Sequence, residues 1–184
     1  MKNRELLIGV SGGIAAFKTA GLVSRLVQAG AGVTVVMTHS ATKLVGPKTF
    51  EALTGRAVFT RMFDRRPAQA GDPVAHPHID LAEQAELLCI APATANIMAK
   101  AALGLADDLL STTLLSFEGP VLMAPAMNTR MWNNPAVRRN VEQLAADGVT
   151  LVGPEAGRLS CGTVGAGRMS EPEAIFEAIA NALG

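Results

Sequence analysis

Aromatic and charged side chains are both scarce in this sequence of 184 residues. Phe and Trp together make up 4%, Tyr is absent, and Trp132 is the single tryptophan. Charged residues make up only 17%, and the 16 basic side chains equal the 16 acidic ones in number. Without a basic excess, neither nucleic acid nor a membrane surface is an expected partner. Because 49% of the residues are hydrophobic, we expect a sizeable core and a subunit interface.

Cysteines and long apolar runs are also few. Cys89 and Cys161 form neither a zinc-ligand spacing nor a disulfide framework, and no Cys/His/carboxylate pattern suggests a metal site. No segment is long and apolar enough to span a bilayer, and the N-terminus lacks the features of a signal peptide. The expectation is a single cytosolic domain over residues 1–184, without a metal.

Strand-like and helix-like runs alternate along the chain. Short apolar runs such as ELLIGV, GVTVVMT, LLCIAP and PVLMAP are typical of buried parallel strands, and the segments between them have helical spacing. The first helix is expected to bury Ala16, Ala20, Val23 and Val27 and to end near Gly30. The alternation predicts an α/β fold, a Rossmann-like or flavodoxin-like doubly wound parallel sheet with helices on both faces.

Ligand-binding segments are expected where these strands end, because open parallel sheets bind ligands beyond the carboxyl ends of their strands. Gly12 and Gly13 join the first strand to a helix, where glycines admit a ligand and a helix start favours an anion, although a plain tight turn would use them equally well. The second strand ends without an acidic residue to hold a ribose, which argues against a nicotinamide dinucleotide. Thr38 and Ser40 there suit a phosphate monoester or helix capping.

Two further motifs follow predicted strands or begin helices. In APATAN, Thr94, Ala95 and Asn96 would allow a flat ring to lie against the backbone, or would simply cap a helix. In HPHIDLA, His78 is suited to proton transfer near neutral pH, although a lone histidine is more often structural.

A glycine-rich stretch, RLSCGTVGAGRM, predicts a flexible flap over residues 154–169. Cys161 lies within the flap, where a chemical role is favoured, whereas Cys89 lies in an apolar strand and is expected to pack. The stretch 64–77, rich in proline, glycine and charge, is expected to be a mobile loop.

Together these motifs resemble the homo-oligomeric flavin-containing cysteine decarboxylases, and within them the phosphopantothenoylcysteine decarboxylases. PAMNTRMW matches the family's P-x-M-N-x-x-M-W pattern, RLSCG…GRM resembles its substrate flap, and HIDLA and APATAN occur in the expected order. One departure is Ile97, where the family's P-A-S-A-N-T pattern ends in threonine. The resemblance implies FMN, a homotrimer or a dodecamer of trimers, and a possible phosphopantothenate-cysteine ligase domain or protein as partner.

The implied reaction is decarboxylation of 4′-phosphopantothenoylcysteine to 4′-phosphopantetheine in coenzyme A biosynthesis, through a thioaldehyde and an enethiolate. Asn128 would bind the substrate carboxylate, His78 would act as acid/base, and Cys161 would donate the last proton. Met131 and Trp132 are expected to pack rather than to contact substrate. The expected FMN contacts are Gly12, Gly13, Ile14, Thr38, Ser40, Thr94, Ala95, Asn96 and Ala126. The expected substrate contacts are Asn128, Arg158, Ser160 and Met169.

Three alternatives stay open at the level of sequence. A peptidyl-cysteine decarboxylase of the same family would stop at the enethiol and would not need Cys161. A flavin prenyltransferase would need neither Cys161 nor Asn128. A non-catalytic regulatory relative that binds a phosphatase could have lost His78, which this chain retains.

Overall fold

A computed structural model describes residues 1–62, 76–160 and 162–184 of the chain. The strands are β1 (Glu5–Val10), β2 (Gly32–Met37), β3 (Leu87–Ala93), β4 (Val121–Pro125), β5 (Thr150–Leu151), β6 (Glu155–Arg158) and β7 (Val164–Arg168). The helices are α1 (Ala16–Gln28), α2 (Pro47–Thr54), α3 (Pro77–Gln84), α4 (Ala95–Leu103), α5 (Leu109–Ser116), α6 (Thr129–Trp132), α7 (Pro135–Ala146) and α8 (Pro172–Leu183), with a 3-10 turn at Ala41–Lys43.

The central sheet has five parallel strands in the order β2-β1-β3-β4-β5. This is the flavodoxin-like order, in which the chain reverses direction across the sheet between β1 and β3. All seven residues of β3 are buried, as its continuous apolar run requires in a sheet covered on both faces. The predicted doubly wound parallel sheet is confirmed.

The hydrophobic core lies in two layers, one on each face of the sheet. One layer packs beneath α1, α2 and α8 and includes Phe50 and Ile175, both fully buried. The other packs beneath α3, α4, α5 and α7 and includes Trp132 and Leu144. Burying one such large side chain contributes about 1.5–3 kcal/mol, so both layers hold the strand ends in place.

The buried face of α1 is rotated from the one that the sequence predicted. The residues it buries are Ala16, Thr19, Leu22, Val23 and Leu26. Ala20 and Val27 are half-buried and pack only against the margin of the core. Thr19 takes a core position because its hydroxyl donates to the carbonyl of Ala91, at 2.7 Å. The predicted end is confirmed, since the helix stops at Gln28 and Gly30 follows with φ of 85°.

The predicted flap over residues 154–169 contains regular structure. β6 and β7 form a two-stranded antiparallel ribbon in which Gly157 pairs with Gly165 and Arg158 with Val164. Glycine density indicated flexibility, but Gly157 and Gly165 are paired and Gly167 lies within β7; only Gly162, with φ of 85°, lies between the strands. Cys161 and most of the predicted loop 64–77 lie outside the described residues.

Over the described parts of the chain, none of the helices is both long and apolar enough to cross a bilayer.

Candidate functional site

A cavity of about 1050 Å³ opens at the carboxyl ends of β1, β2, β3 and β4. The segments that follow these four strands form its floor and walls, and the β6–β7 ribbon closes one side. Predicted site residues that line it are Gly12, Gly13, Ile14, Thr38, Ser40, Thr94, Ala95, Asn96, Ala126, Asn128, Arg158, Ser160 and Met169. The structure therefore brings together every predicted FMN and substrate contact around one space.

A hydroxyl network at the switch point between β1 and β3 holds two of these segments together. The buried Ser11 hydroxyl donates to the carbonyl of Pro92 at 2.7 Å and accepts from the amide of Thr94 at 3.1 Å. The Thr94 hydroxyl lies 3.1 Å from the same oxygen, and it caps α4 by accepting from the amide of Ile97. Ile97 is buried, so the family's threonine is replaced here by a core residue.

The glycines after β1 allow an unusually close approach of the segment after β2. A Cβ atom on Gly12 would lie 2.3 Å from the Cβ of Ser40, so a side chain there would force the two strand ends apart. The first turn of α1, which follows, has no side-chain cap and no acidic residue. The amides of Ala16 and Lys18 already donate to the carbonyls of Gly13 and Ala15, so this end of the cavity favours an anion mainly through the helix dipole.

Asn128 lies three residues after the end of β4 and is the N-cap residue of α6. Its side-chain oxygen accepts from the amide of Arg130 at 2.8 Å, which fixes the orientation of the carboxamide. The preceding amide, that of Met127, donates to the carbonyl of Gly167 in β7 at 2.9 Å. The segment after β4 is thus fixed from one side by its own helix and from the other by the ribbon.

Several charged side chains that line the cavity were missed by the sequence reasoning. Lys18, Lys100 and Arg168 join the predicted Arg158, and Asp108 is the acidic residue among the described lining side chains. Lys18, Lys100 and Arg168 are each paired with a carboxylate, so they offer an anionic ligand hydrogen-bond donors more than a net positive charge. A sequence signal existed for Lys100 alone, because it follows Asn96 by four residues on α4 and so shares its face.

The ion pairs of Lys100 connect two helices at the cavity wall. Its ammonium group lies 2.6 Å from Asp107 and 2.5 Å from Asp108. Asp108 also caps α5, accepting from the amide of Ser111 at 2.9 Å. Burial alone would lower the pKa of Lys100, but the hydrogen bonds to the two carboxylates outweigh it and raise that pKa. Lys100 consequently stays cationic over the physiological pH range.

Two ion pairs join the base of the ribbon to its surroundings. Lys18 of α1 lies 2.8 Å from Glu171, and Arg168 of β7 lies 2.8 Å from Glu155 on β6. The hydrogen bond from Arg168 lowers the pKa of Glu155. Both cations therefore line the cavity while already paired on one side.

The packing role expected for Met131 is wrong, whereas that expected for Trp132 is confirmed. Trp132 is 9% exposed and lies in the core. Met131, one position earlier on α6, is 48% exposed and lines the cavity. A four-residue helix cannot bury both adjacent side chains against the same layer, so one must face outward.

His78 is not brought to the cavity within a single chain. It lies in the first turn of α3, half-buried, and the described lining residues do not include it. Its Nδ1 atom is buried and has no hydrogen-bond partner among the residues that the structure describes. The ring of His76 lies 6.3 Å away, in an edge-on arrangement. Cys161 is outside the described residues, so its position relative to Asn128 stays a prediction.

The described part of the chain contains no cluster of three potential metal ligands among its His, Cys, Asp and Glu residues.

Curated relatives match this chain over most of its length. It is 49% identical over 177 residues to the coenzyme A biosynthesis bifunctional protein CoaBC of Bacillus subtilis (strain 168), covering 96% of this chain and 42% of that protein. It is 46% identical over 172 residues to the protein of the same name from Mycobacterium tuberculosis (strain ATCC 25618 / H37Rv), covering 94% and 40%. The chain therefore spans about two-fifths of the length of these curated relatives.

Solved structures with the same fold match over nearly the whole chain. A mutant PPC decarboxylase complexed with pantothenoylaminoethenethiol superposes with a TM-score of 0.85 at 33% identity, covering 98% of both chains. The FMN-dependent cysteine decarboxylase SpaF superposes with a TM-score of 0.79 at 37% identity, also covering 98% of both. The family model described as Flavoprotein matches residues 1–184. The chain therefore belongs to the flavoprotein family.

Proposed function

We propose that this chain is an FMN-dependent decarboxylase that converts 4′-phosphopantothenoylcysteine to 4′-phosphopantetheine in coenzyme A biosynthesis. The observation that carries the proposal is the single cavity in which Asn128, the ribbon and four strand ends meet. The names of the matching relatives, a coenzyme A biosynthesis protein and a PPC decarboxylase, support the same substrate class.

The residues around the cavity suit FMN. The cavity has about the volume of a cofactor site, and its lysine and arginine side chains can donate hydrogen bonds to the phosphate groups of both FMN and the substrate. Thr38, Ser40 and the uncapped start of α1 offer donors for the phosphate, while Ala95 and Asn96 allow a flat ring to approach α4. When bound, FMN would supply the hydride-accepting and hydride-returning chemistry.

Asn128 would orient the substrate carboxylate. A neutral amide donates a hydrogen bond without the strong ground-state stabilisation that an arginine would give, so the carboxylate departs more readily as carbon dioxide. Met131 extends its apolar side chain into the same cavity and would exclude water beside that carboxylate. Arg158 and Ser160 of the ribbon would contact the distal, phosphate-bearing part of the substrate.

Cys161 and His78 would handle protons. After decarboxylation, the enethiolate needs both a hydride and a proton to become 4′-phosphopantetheine. The thiol of Cys161 would donate the proton that accompanies the return of the hydride. Because His78 does not line the cavity of its own chain, it would serve as acid/base in a cavity that a second subunit helps to form.

The proposed assembly is a homotrimer, or a dodecamer built from trimers, with active sites shared between subunits. Two large apolar side chains at the cavity support it, since Ile14 is 58% and Phe17 61% exposed in the single chain. Light scattering should give a multiple of three chains. A flavin-loaded, active monomer would contradict the shared site.

The proposal includes a partner and a location. Because the curated relatives are bifunctional and about two and a half times as long, we propose a phosphopantothenate-cysteine ligase domain or protein as partner. A cytosolic location, where coenzyme A intermediates are made, completes the proposal.

A cysteine decarboxylase with another cysteine-containing substrate, such as a peptidyl cysteine, is the second candidate, because SpaF, an FMN-dependent cysteine decarboxylase, matches at 37% identity. The two candidates differ in their product, since the proposed enzyme must protonate and reduce an enethiol that the alternative would release. Incubation of purified, FMN-loaded protein with 4′-phosphopantothenoylcysteine, followed by mass spectrometry, should give 4′-phosphopantetheine. An enethiol lighter by two hydrogens as the sole product would favour the alternative.

Two variants separate the stages of the reaction. Cys161→Ser should still release carbon dioxide but accumulate the enethiol, because serine is a far weaker acid than a thiol with a pKa of about 8.5. Asn128→Asp should retain FMN but release no carbon dioxide, because its carboxylate would repel that of the substrate. Normal amounts of 4′-phosphopantetheine from Cys161→Ser would refute the proton-donor role.

A further inference from the structure

The second strand of the ribbon packs directly on the segment that carries Asn128. β7 contacts α6, and Gly165 and Gly167 are the residues of β7 that approach it closely. At Gly167, φ is 136°, and an added Cβ atom would lie 2.2 Å from the carbonyl oxygen of Met127. The carbonyl of Gly167 accepts from the amide of Met127 at 2.9 Å. No side chain larger than hydrogen is compatible with this distance.

A second close approach lies two residues earlier on β7. An added Cβ atom on Gly165 would lie 2.6 Å from the Oγ1 atom and 2.8 Å from the Cγ2 atom of Thr129. The Oγ1 atom of Thr129 is buried and has no hydrogen-bond partner in the described part of the structure. Leaving a buried hydroxyl unpaired costs about 1–3 kcal/mol. The hydroxyl of Thr129 therefore destabilises the fold, and stability does not explain why a threonine is present.

We propose that Gly165 and Gly167 are positioning residues, which set the separation between the ribbon and the carboxamide of Asn128 by packing against Met127 and Thr129. Asn128 lies between these two contacts, and its backbone cannot shift without opening one of them. Arg158 of β6 and Ser160, just beyond it, line the same cavity. The contact therefore fixes the distance between the group that would hold the carboxylate and the groups that would hold the distal end of the substrate. This inference rests on the proposed function.

The expected effect is on turnover more than on cofactor binding. Displacement of a binding group by about 1 Å can cost on the order of 100-fold in rate, because the reacting atoms leave their near-attack geometry. Ala126 directly precedes Met127, but the other proposed FMN contacts follow β1, β2 and β3 and lie outside this contact. Loss of the spacing should therefore lower kcat while the dissociation constant for FMN changes less than about two-fold.

The test is a double-mutant cycle at Gly165 and Thr129. Gly165→Ala introduces no unusual backbone angle, so its effect comes from the clash with the threonine side chain alone. Thr129→Ala removes both clashing atoms and leaves only the threonine Cβ position, 3.2 Å from the new methyl group. Gly165→Ala should lower kcat about 10- to 100-fold, and Thr129→Ala in the same chain should restore most of it.

Hydrogen exchange provides a readout that does not depend on activity. In the unsubstituted protein the amide of Met127 should be protected by its bond to Gly167. Gly165→Ala should increase its exchange rate at least about 10-fold, and the added Thr129→Ala should reverse that increase. Gly167→Ala should have the same effect as Gly165→Ala, whereas Gly148→Ala, at φ of 86° with no atom within 4 Å, controls for backbone strain alone.

The outcomes separate the inference from the proposed function. If Gly165→Ala retains full activity and protection, or if Thr129→Ala fails to rescue it, the inference is overturned. If Gly165→Ala does not fold but the double variant folds with a protected Met127 amide, the steric contact is supported. If neither variant folds, the inference is overturned. If the unsubstituted protein releases no carbon dioxide, the proposed function fails, and the exchange of the Met127 amide alone decides the inference.

Discussion

Removal of the Ser11 hydroxyl should destabilise the fold at the point where the cavity begins. Ser11 is 1% exposed, and its oxygen joins the end of β1 to both Pro92 and Thr94 at the end of β3. Ser11→Ala removes a single atom and leaves no large cavity. Its effect therefore reports the hydrogen bonds and not the packing.

The magnitude follows from the groups that lose their partner. The carbonyl of Pro92 loses a donor at 2.7 Å, and the amide of Thr94 loses an acceptor at 3.1 Å. A buried group left unsatisfied costs about 1–3 kcal/mol, so the two groups together predict a loss on the order of 2–6 kcal/mol in the free energy of unfolding. For a domain of this size, that corresponds to a fall in Tm of roughly 4–24 °C.

Urea denaturation followed by circular dichroism, at constant m-value, measures the loss. Thr113→Val is the matched control, since its buried hydroxyl donates to the carbonyl of Leu109, which α5 already satisfies through its own backbone bond. The control should lose less than about 1 kcal/mol. An equal loss in the two variants would refute the view that Ser11 joins the strand ends.

Three further predictions follow from the site and the core. His78→Asn should fold, retain FMN and lose decarboxylation, whereas His76→Asn should remain active; product analysis by mass spectrometry would expose the reverse pattern. Burial raises the pKa of Cys89 to about 12, so iodoacetamide at pH 8 should leave it unmodified until the protein unfolds, and rapid labelling of the native protein would contradict this. The hydrogen bond from Lys100 lowers the pKa of Asp107. The pair should therefore stabilise the fold above the ordinary aspartate pKa of about 3.9, and this stability should be lost as the pH falls below that value. In acid unfolding, Lys100→Gln should reduce the loss of stability over this pH range.

The position of the cavity could be predicted because it depends on a rule of topology. Gly12, Thr38, Thr94 and Asn128 are far apart in sequence, but each lies within three residues of the end of a mainly apolar strand. Parallel strands bring all such positions to one edge, so recognising the strands was sufficient to predict which residues meet there.

Other features depended on contacts that leave little trace in a local pattern. The strands of the ribbon are rich in glycine, which is ordinarily depleted in strands, and they are stabilised by pairing and by packing on α6. Thr19 occupies a core position of α1 through a hydrogen bond to another element, which hydrophobic periodicity does not detect. The partners of Lys18 and Arg168 are likewise fixed only by the tertiary fold.

The exposed apolar side chains at the cavity have a thermodynamic consequence. Ile14, Phe17 and Met131 are 58%, 61% and 48% exposed, and all three line the cavity. Whether a flavin ring or a neighbouring subunit covers them, the association removes apolar surface from water and carries a negative heat-capacity change, roughly 45 cal/mol/K for each ~100 Å² covered. The enthalpy of association, measured by titration calorimetry, should therefore become steadily more favourable on warming, and the affinity should vary with temperature along a curve.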